Sequence, residues 1–151
     1  MSDGLVEFLR ARLDEDEQIA RRACEYAEAE WRLDEEFGET VLWWPPEPHI
    51  AEKEREKGLP VVSDHWRGQT IDSHIAPHIA RHDPARILAE VDAKRQIVTS
   101  YEAVARSLSS AGPGTPPHDL LTGATNLMRN TLQHLALPYA EHPDYRVEWR
   151  P

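Results

Sequence analysis

The chain of 151 residues has one cysteine, Cys24, and no apolar run of the roughly 18 residues that a membrane span needs. A single thiol cannot form an internal disulfide, and without a CxxC pair the sequence offers no structural zinc site of that type. The first residues also lack the basic head and apolar stretch of a signal peptide. These absences predict a cytoplasmic protein in which Cys24 is a small buried residue.

The sequence also lacks the short motifs that mark common catalytic sites. It has no GxxxxGK[ST] or GxGxxG loop and no GxSxG elbow. Gly112-Pro113-Gly114 suits a linker better than a phosphate loop, because proline removes a backbone amide that a phosphate would use. The sequence therefore favours a non-catalytic protein over an enzyme.

Positive charge is scarce, since 17 Lys and Arg face 27 Asp and Glu, which gives a net charge of −10. Residues 1–60 hold 17 acidic and 8 basic side chains, so most of the excess lies there. Direct nucleic-acid binding is not expected from this balance, whereas mimicry of DNA by the acidic part is a minor alternative. The 40% of hydrophobic residues, with five Trp, are enough for one core.

Periodic apolar residues predict three helices, at about 3–36, 84–109 and 119–137. Ser2 or Asp3 can cap the first, and Asp83-Pro84 is a strong start signal for the second. Residues 111–117 form a Gly and Pro linker, and Pro138 stops the last helix. The expected fold is mainly α, with a three-helix core, a long N-terminal helix and a small β-hairpin insert.

The hairpin is predicted between two β-prone runs, Thr40 to Trp44 and Leu59 to Val62. The charged stretch AEKEREK between them is expected to be a helical turn or a loop, and the prolines place the strands at sheet edges. We expect one domain over 1–151: an acidic helix at 1–38, a Pro- and Trp-rich hairpin or loop at 39–72, and a helical part at 73–151.

The first helix carries more apolar length than two partner helices can cover. Self-association through Leu5, Leu9 and Leu13 is therefore expected as well. The C-terminal tail is too aromatic for a solvated end, so Tyr139, Tyr145 and Trp149 are expected to fold back onto the helices.

Eight histidines suggest a metal site, and His74, His78 and His82 are spaced by four. On a helix the outer two would lie about 12 Å apart, too far to share one ion. This leaves His78 and His82, with His142 and Asp144 as candidate further ligands and His134 next. The alternative function is therefore a zinc-binding protein or a metal-dependent hydrolase that uses His78, His82, His142 and Asp144.

Three segments together resemble a family of small proteins of unknown function that is common in actinobacteria and their phages. They are LVEFLRARLDEDEQIARRA at 5–23, HIARHDPARILAEVDAKRQI at 78–97 and LALPYAEHPDYRVEWRP at 135–151. The resemblance implies no activity or cofactor. It implies that the HIARHDPAR and YAEHPDYR segments act together, and His74 lies outside its motif.

The favoured interpretation is a non-catalytic intracellular interaction or accessory protein that binds an unidentified protein partner. In this interpretation the two segments form a structural clasp instead of a metal site, because a histidine beside a helix start and a carboxylate beside an arginine are common structural pairings. The clasp residues are Arg81, Asp83, Arg86, Tyr139, Asp144, Tyr145 and Trp149.

Overall fold

A computed structural model describes residues 4–34, 40–43, 58–63 and 75–151. Four helices and three strands are described: α1 Leu5–Tyr26, β1 Arg32–Leu33, β2 Thr40–Trp43, β3 Leu59–Ser63, α2 Ile75–Arg81, α3 Pro84–Ser110 and α4 Pro116–Ala136. Short 3₁₀ helices follow at Leu137–Tyr139 and Val147–Trp149. The predicted caps Ser2 and Asp3, the AEKEREK stretch and His74 lie outside the described residues.

The predicted fold class is confirmed, since the described chain is mainly helical with a small antiparallel sheet. The predicted end of the first helix is wrong, because α1 stops at Tyr26 and not near residue 36. Beyond it, the backbone amide of Trp31 donates to Asp83 Oδ2 at 3.2 Å, and Ala29 O accepts from Ala85 N at 3.0 Å. The spacing of apolar residues predicted that the backbone here would continue the helix. Instead, it bonds to the residues at the start of α3.

The last two helices begin close to their predicted positions. Asp83 Oδ1 accepts from Arg86 N at 2.8 Å, so the predicted cap of α3 is confirmed. Helix α4 starts at Pro116, three residues earlier than expected, because Thr115 caps it and Pro116 and Pro117 occupy positions whose amides have no helical partner. The predicted stop at Pro138 agrees with the end of α4 at Ala136.

The chain divides into two compact units, Met1–Glu15 with Val91–Pro151, and Asp16–Glu90. The prediction that residues 1–151 form one domain stays a prediction. None of the described helices is both long and apolar enough to cross a membrane.

The first unit contains the hydrophobic core, built where α1, α3, α4 and the tail meet. Leu13, Val91, Val98 and Leu132 are at most 2% exposed, as their stripes predict. The core cluster itself consists of Leu5, Val6, Phe8, Leu9, Val98, Leu132, Ala136 and Trp149. The prediction of self-association through Leu5, Leu9 and Leu13 is wrong for this surface, because each is 1% exposed and already covered within the chain.

The second unit contains the sheet, whose described strands run in the order β1-β2-β3 and are antiparallel. The predicted hairpin is confirmed by β2 and β3, with Val41 opposite Val62 and Leu42 opposite Pro60. This register leaves Val61 as an extra residue in β3, a bulge beside a proline that cannot donate to the ladder. Among the described strands, β3 is an edge, as its proline predicts, but β2 lies between β1 and β3, so the prediction that both strands are edges is wrong for β2.

Candidate functional site

The C-terminal tail packs its aromatic rings around Phe8 of α1, as the sequence predicts. The ring centroids of Tyr139, His142, Tyr145 and Trp149 lie between 5.0 and 6.4 Å from that of Phe8. The first three rings meet Phe8 edge to face, a geometry that adds about 0.5–1.5 kcal/mol per pair beyond the buried area. We call Phe8, Tyr139, His142, Tyr145 and Trp149 the tail cluster.

Arg12 is the one charged side chain among the buried residues that the structure describes, and it borders the tail cluster. Its guanidinium lies 5.3 Å from the centre of the Phe8 ring, and its Nη2 donates to Glu15 Oε1 at 2.7 Å. Its Nη1 lies 2.6 Å from Nδ1 of His142 and also contacts Nε2. Arg12 therefore links α1 to the tail through its contact with the His142 imidazole, while its stacking on Phe8 and its ion pair with Glu15 lie within α1.

His142 acts as a hydrogen-bond acceptor in this arrangement. The backbone amide of Asp144 donates to its Nδ1 at 3.1 Å, and the Arg12 guanidinium can only donate. Nδ1 of His142 is thus engaged within the chain, which disfavours a metal at this nitrogen.

Packing holds the tail cluster together more than polar bonds do. Arg12 Nε, Tyr145 Oη and Trp149 Nε1 are buried with no hydrogen-bond partner among the described residues. Each such atom costs stability, so the contacts of the rings must outweigh that cost. The tail cluster is a structural closure of the first unit.

Asp144 does not hold the tail in the way that the clasp prediction assumed. Its carboxylate is largely exposed and lies 3.9 Å from Nδ1 of His142. No described arginine pairs with the carboxylate of Asp144. In the tail it is His142 that contacts an arginine, Arg12.

The HIARHDPAR segment makes its own set of contacts in the second unit. The imidazoles of His78 and His82 lie 4.4 Å apart, and Nδ1 of His82 donates to the carbonyl of His78 at 2.9 Å. Arg86 Nε donates to Glu90 at 2.8 Å, and its Nη1 donates to the carbonyl of Arg81 at 3.3 Å. Asp83 joins this segment to Trp31, as described above.

The two family-like segments lie in different units, so the prediction that they act together stays a prediction. Across the described residues, no three His, Cys, Asp or Glu side chains are grouped closely enough to hold a metal ion. The zinc alternative with His78, His82, His142 and Asp144 therefore has no support.

A surface that the sequence analysis missed lies on the outward side of α4. We call Leu120, Gly123, Leu127, Thr131 and His134 the α4 outer face; all five are exposed and lie within one side of the helix. Leu120 is 75% exposed and Leu127 is 71% exposed. The signal was present in the sequence as two leucines one heptad apart, but the buried stripe of the same helix has a similar spacing.

The polar groups of the α4 outer face are turned inward onto their own helix. Thr131 Oγ1 donates to the carbonyl of Leu127 at 3.2 Å, and His134 Nδ1 donates to the carbonyl of Asn130 at 2.7 Å. A Cβ added at Gly123 would meet nothing within 4 Å. The face is therefore apolar, shallow at its middle and open.

A family of unknown function, DUF6221, matches residues 2–151. Comparison with curated proteins and with solved structures finds no match. The match covers nearly the whole chain and agrees with the expectation of a family of unknown function. The chain therefore belongs to this family of unknown function.

Proposed function

We propose that the chain is a non-catalytic protein-interaction module whose partner binds the α4 outer face. The observation that carries this proposal is the exposure of Leu120 and Leu127 on a helix surface without charge. A solvent-facing helix side normally carries charged residues. Helix α4 has only Asp119, in its first turn, and Arg129, which is half-buried on another side.

The partner surface that fits is one side of an amphipathic helix. Two leucines seven residues apart form a ridge, and Gly123 between them leaves a gap that a partner side chain can enter. Because the hydroxyl of Thr131 and Nδ1 of His134 are already bonded, covering the face leaves neither of these donors unpaired. Burial of both leucines would contribute about 1.5–3 kcal/mol each.

The proposal includes a cytoplasmic location and the origin in actinobacteria or their phages that the resemblance implies. One observation supports the location: Cys24 is a free thiol whose Sγ donates to the carbonyl of Ala20 at 3.2 Å. Free thiols are kept in reducing compartments.

The test compares three forms of the full chain as bait in extracts of its host. The Leu120→Glu/Leu127→Glu variant puts two charges on the α4 outer face, whereas Ile19→Glu puts one on α1 at a site that is 67% exposed. We expect a stoichiometric partner protein with the wild type and with Ile19→Glu, and its loss with the double variant. Unchanged circular dichroism and melting temperature of all three would show that only the surface differs.

A partner that the double variant retains would overturn the proposal for this face. Recovery of the free wild-type chain alone, together with turnover in a substrate screen, would overturn the non-catalytic module altogether.

A further inference from the structure

A pocket of about 430 Å³ opens in the first unit between the first turn of α1, the C-terminal half of α3 and the middle of α4. Its volume lies within the range of small-molecule sites, roughly 300–1,000 Å³. Its lining includes Leu5 and Leu132 of the core cluster, but these are 1% and 0% exposed, so the half-buried Tyr101 and Ala105 supply the apolar surface that a ligand can reach. The pocket therefore opens at the surface, above the hydrophobic core.

The side chains along α3 explain why there is space at this place. Tyr101, Ala105 and Ser109 follow one another at intervals of four and face the pocket in successive turns. The large side chain of Tyr101 fills the space beside its own turn of α3. The small side chains of Ala105 and Ser109 leave the space beside the next two turns empty. The result is a cavity with an apolar interior and hydroxyl groups at the side.

The charged residues that line the pocket are two acidic and two basic ones, Glu7, Glu102, Arg106 and Arg129. Glu102 is paired with Arg10, whose Nη2 lies 2.8 Å from Oε2 of Glu102. Glu7 and Arg129 also line the pocket and are of opposite sign. Arg106, one turn beyond Glu102 on α3, is exposed, and its guanidinium has no hydrogen-bond or ion-pair partner among the described residues. Arg106 is therefore the charged residue of the lining that is available to a ligand.

We propose that this pocket binds a small organic anion with an apolar body, of the class of medium-chain carboxylates. The apolar body lies against Tyr101 and Ala105, and the carboxylate accepts hydrogen bonds from Arg106. The planar guanidinium suits a carboxylate because it can donate two parallel bonds. This site is distinct from the α4 outer face, whose residues do not line the pocket.

Calorimetric titration of the full chain tests the proposal with three probes of equal chain length: octanoate, 1-octanol and octylamine. We expect saturable binding of octanoate to one site, at least about tenfold weaker binding of 1-octanol, and no binding of octylamine. Octanol binding as strong as that of octanoate would contradict the role of charge. Absence of saturable octanoate binding would overturn the site.

Two variants locate the bound probe. Arg106→Gln removes the positive charge at an exposed position and should weaken octanoate binding at least about tenfold. Ala105→Leu fills the cavity and should abolish binding of octanoate. Arg22→Gln is the matched control, because Arg22 is an exposed arginine of α1 outside the pocket.

The two pocket variants separate the outcomes. If both bind octanoate as well as the Arg22→Gln control does, the anion binds elsewhere and the proposal fails. The Leu120→Glu/Leu127→Glu variant should bind octanoate normally, so failure of the protein-partner proposal would not count against the pocket.

Discussion

At the scale of single residues, Arg12 is the least expected feature of the chain. Charged side chains are almost never buried unless paired, so the amphipathic pattern of α1 gives no reason to place Arg12 inside. The structure leaves it 7% exposed because Phe8 offers a ring face and His142 offers ring nitrogens. Phe8 lies on the side of α1 that the tail covers, and His142 belongs to the tail. His142 is 130 residues away in sequence from Arg12.

We predict that Arg12→Ala lowers the free energy of unfolding by about 1.5–3 kcal/mol, the usual range for a hydrogen-bonded charged group. Arg12→Met should cost about half as much, because its unbranched stem keeps the packing on Phe8. Glu15 is largely exposed, so water can solvate it after either change. Urea unfolding followed by circular dichroism measures both values.

Arg22→Ala serves as the control for Arg12, because Arg22 is exposed on the same helix and should change stability by less than about 0.5 kcal/mol. An Arg12→Ala value as small as this would mean that the contacts with Phe8 and His142 contribute nothing. Equal costs for Ala and Met would instead assign the whole effect to the charged group.

At the scale of elements, the sequence predicted both ends of α3 and α4 to within three residues but misplaced the end of α1 by ten. Asp83-Pro84 specifies the start of α3 because the cap and the missing amide act within one turn. The course of the chain beyond α1 could not be predicted in this way, since its described contacts include a bond between Trp31 and Asp83, which are 52 residues apart. Within residues 27–34, neither repulsion between like charges nor low helix propensity indicates that the helix should stop.

In the candidate site, too, the sequence predicted one feature and missed another. The folding back of Tyr139, Tyr145 and Trp149 followed from the excess of aromatic residues in the tail. The α4 outer face was missed because Leu120 and Leu127 repeat with the same period as the buried residues of α4. Periodicity gives two apolar sides for this helix, and only the packed structure shows which one is covered.

Asp83 connects two elements, and its substitution should show both roles. Its Oδ1 caps α3 through Arg86 N, and its Oδ2 accepts from Trp31 N. We predict that Asp83→Ala lowers the free energy of unfolding by about 2–3 kcal/mol, the sum of a cap and one further hydrogen bond. Asp83→Asn should cost about 1 kcal/mol, because its single amide oxygen can keep the cap but not both bonds.

Thermal and urea unfolding of the two Asp83 variants provide the measurement, with Asp92→Ala as the control. Asp92 is exposed and lies away from both ends of α3. Among the described residues, its carboxylate accepts only from Gln96, at 2.9 Å. Equal stability of Asp83→Ala and Asp92→Ala would contradict a capping role for Asp83.

At the scale of the whole molecule, charge is divided unequally between the two units. The first unit has 10 acidic and 8 basic residues, whereas the second has 17 acidic and 9 basic residues. Like charges repel within a compact unit and destabilise it. The described ion pairs of the second unit, such as Arg21 with Glu17 and Arg86 with Glu90, are at the surface and offset little of this repulsion.

We predict that NaCl stabilises the chain, since at 0.15 M the screening length is about 8 Å, against about 30 Å at 0.01 M. The melting temperature should rise by about 2–4 °C for each kcal/mol of repulsion that is screened. Glu25→Gln/Glu28→Gln removes two exposed acidic charges of the second unit and should raise the melting temperature at low salt and reduce its dependence on salt. Glu148→Gln, an exposed acid of the first unit, should have a smaller effect because that unit is nearly balanced in charge. A melting temperature that falls with NaCl would mean that the surface ion pairs outweigh the repulsion and would contradict the prediction.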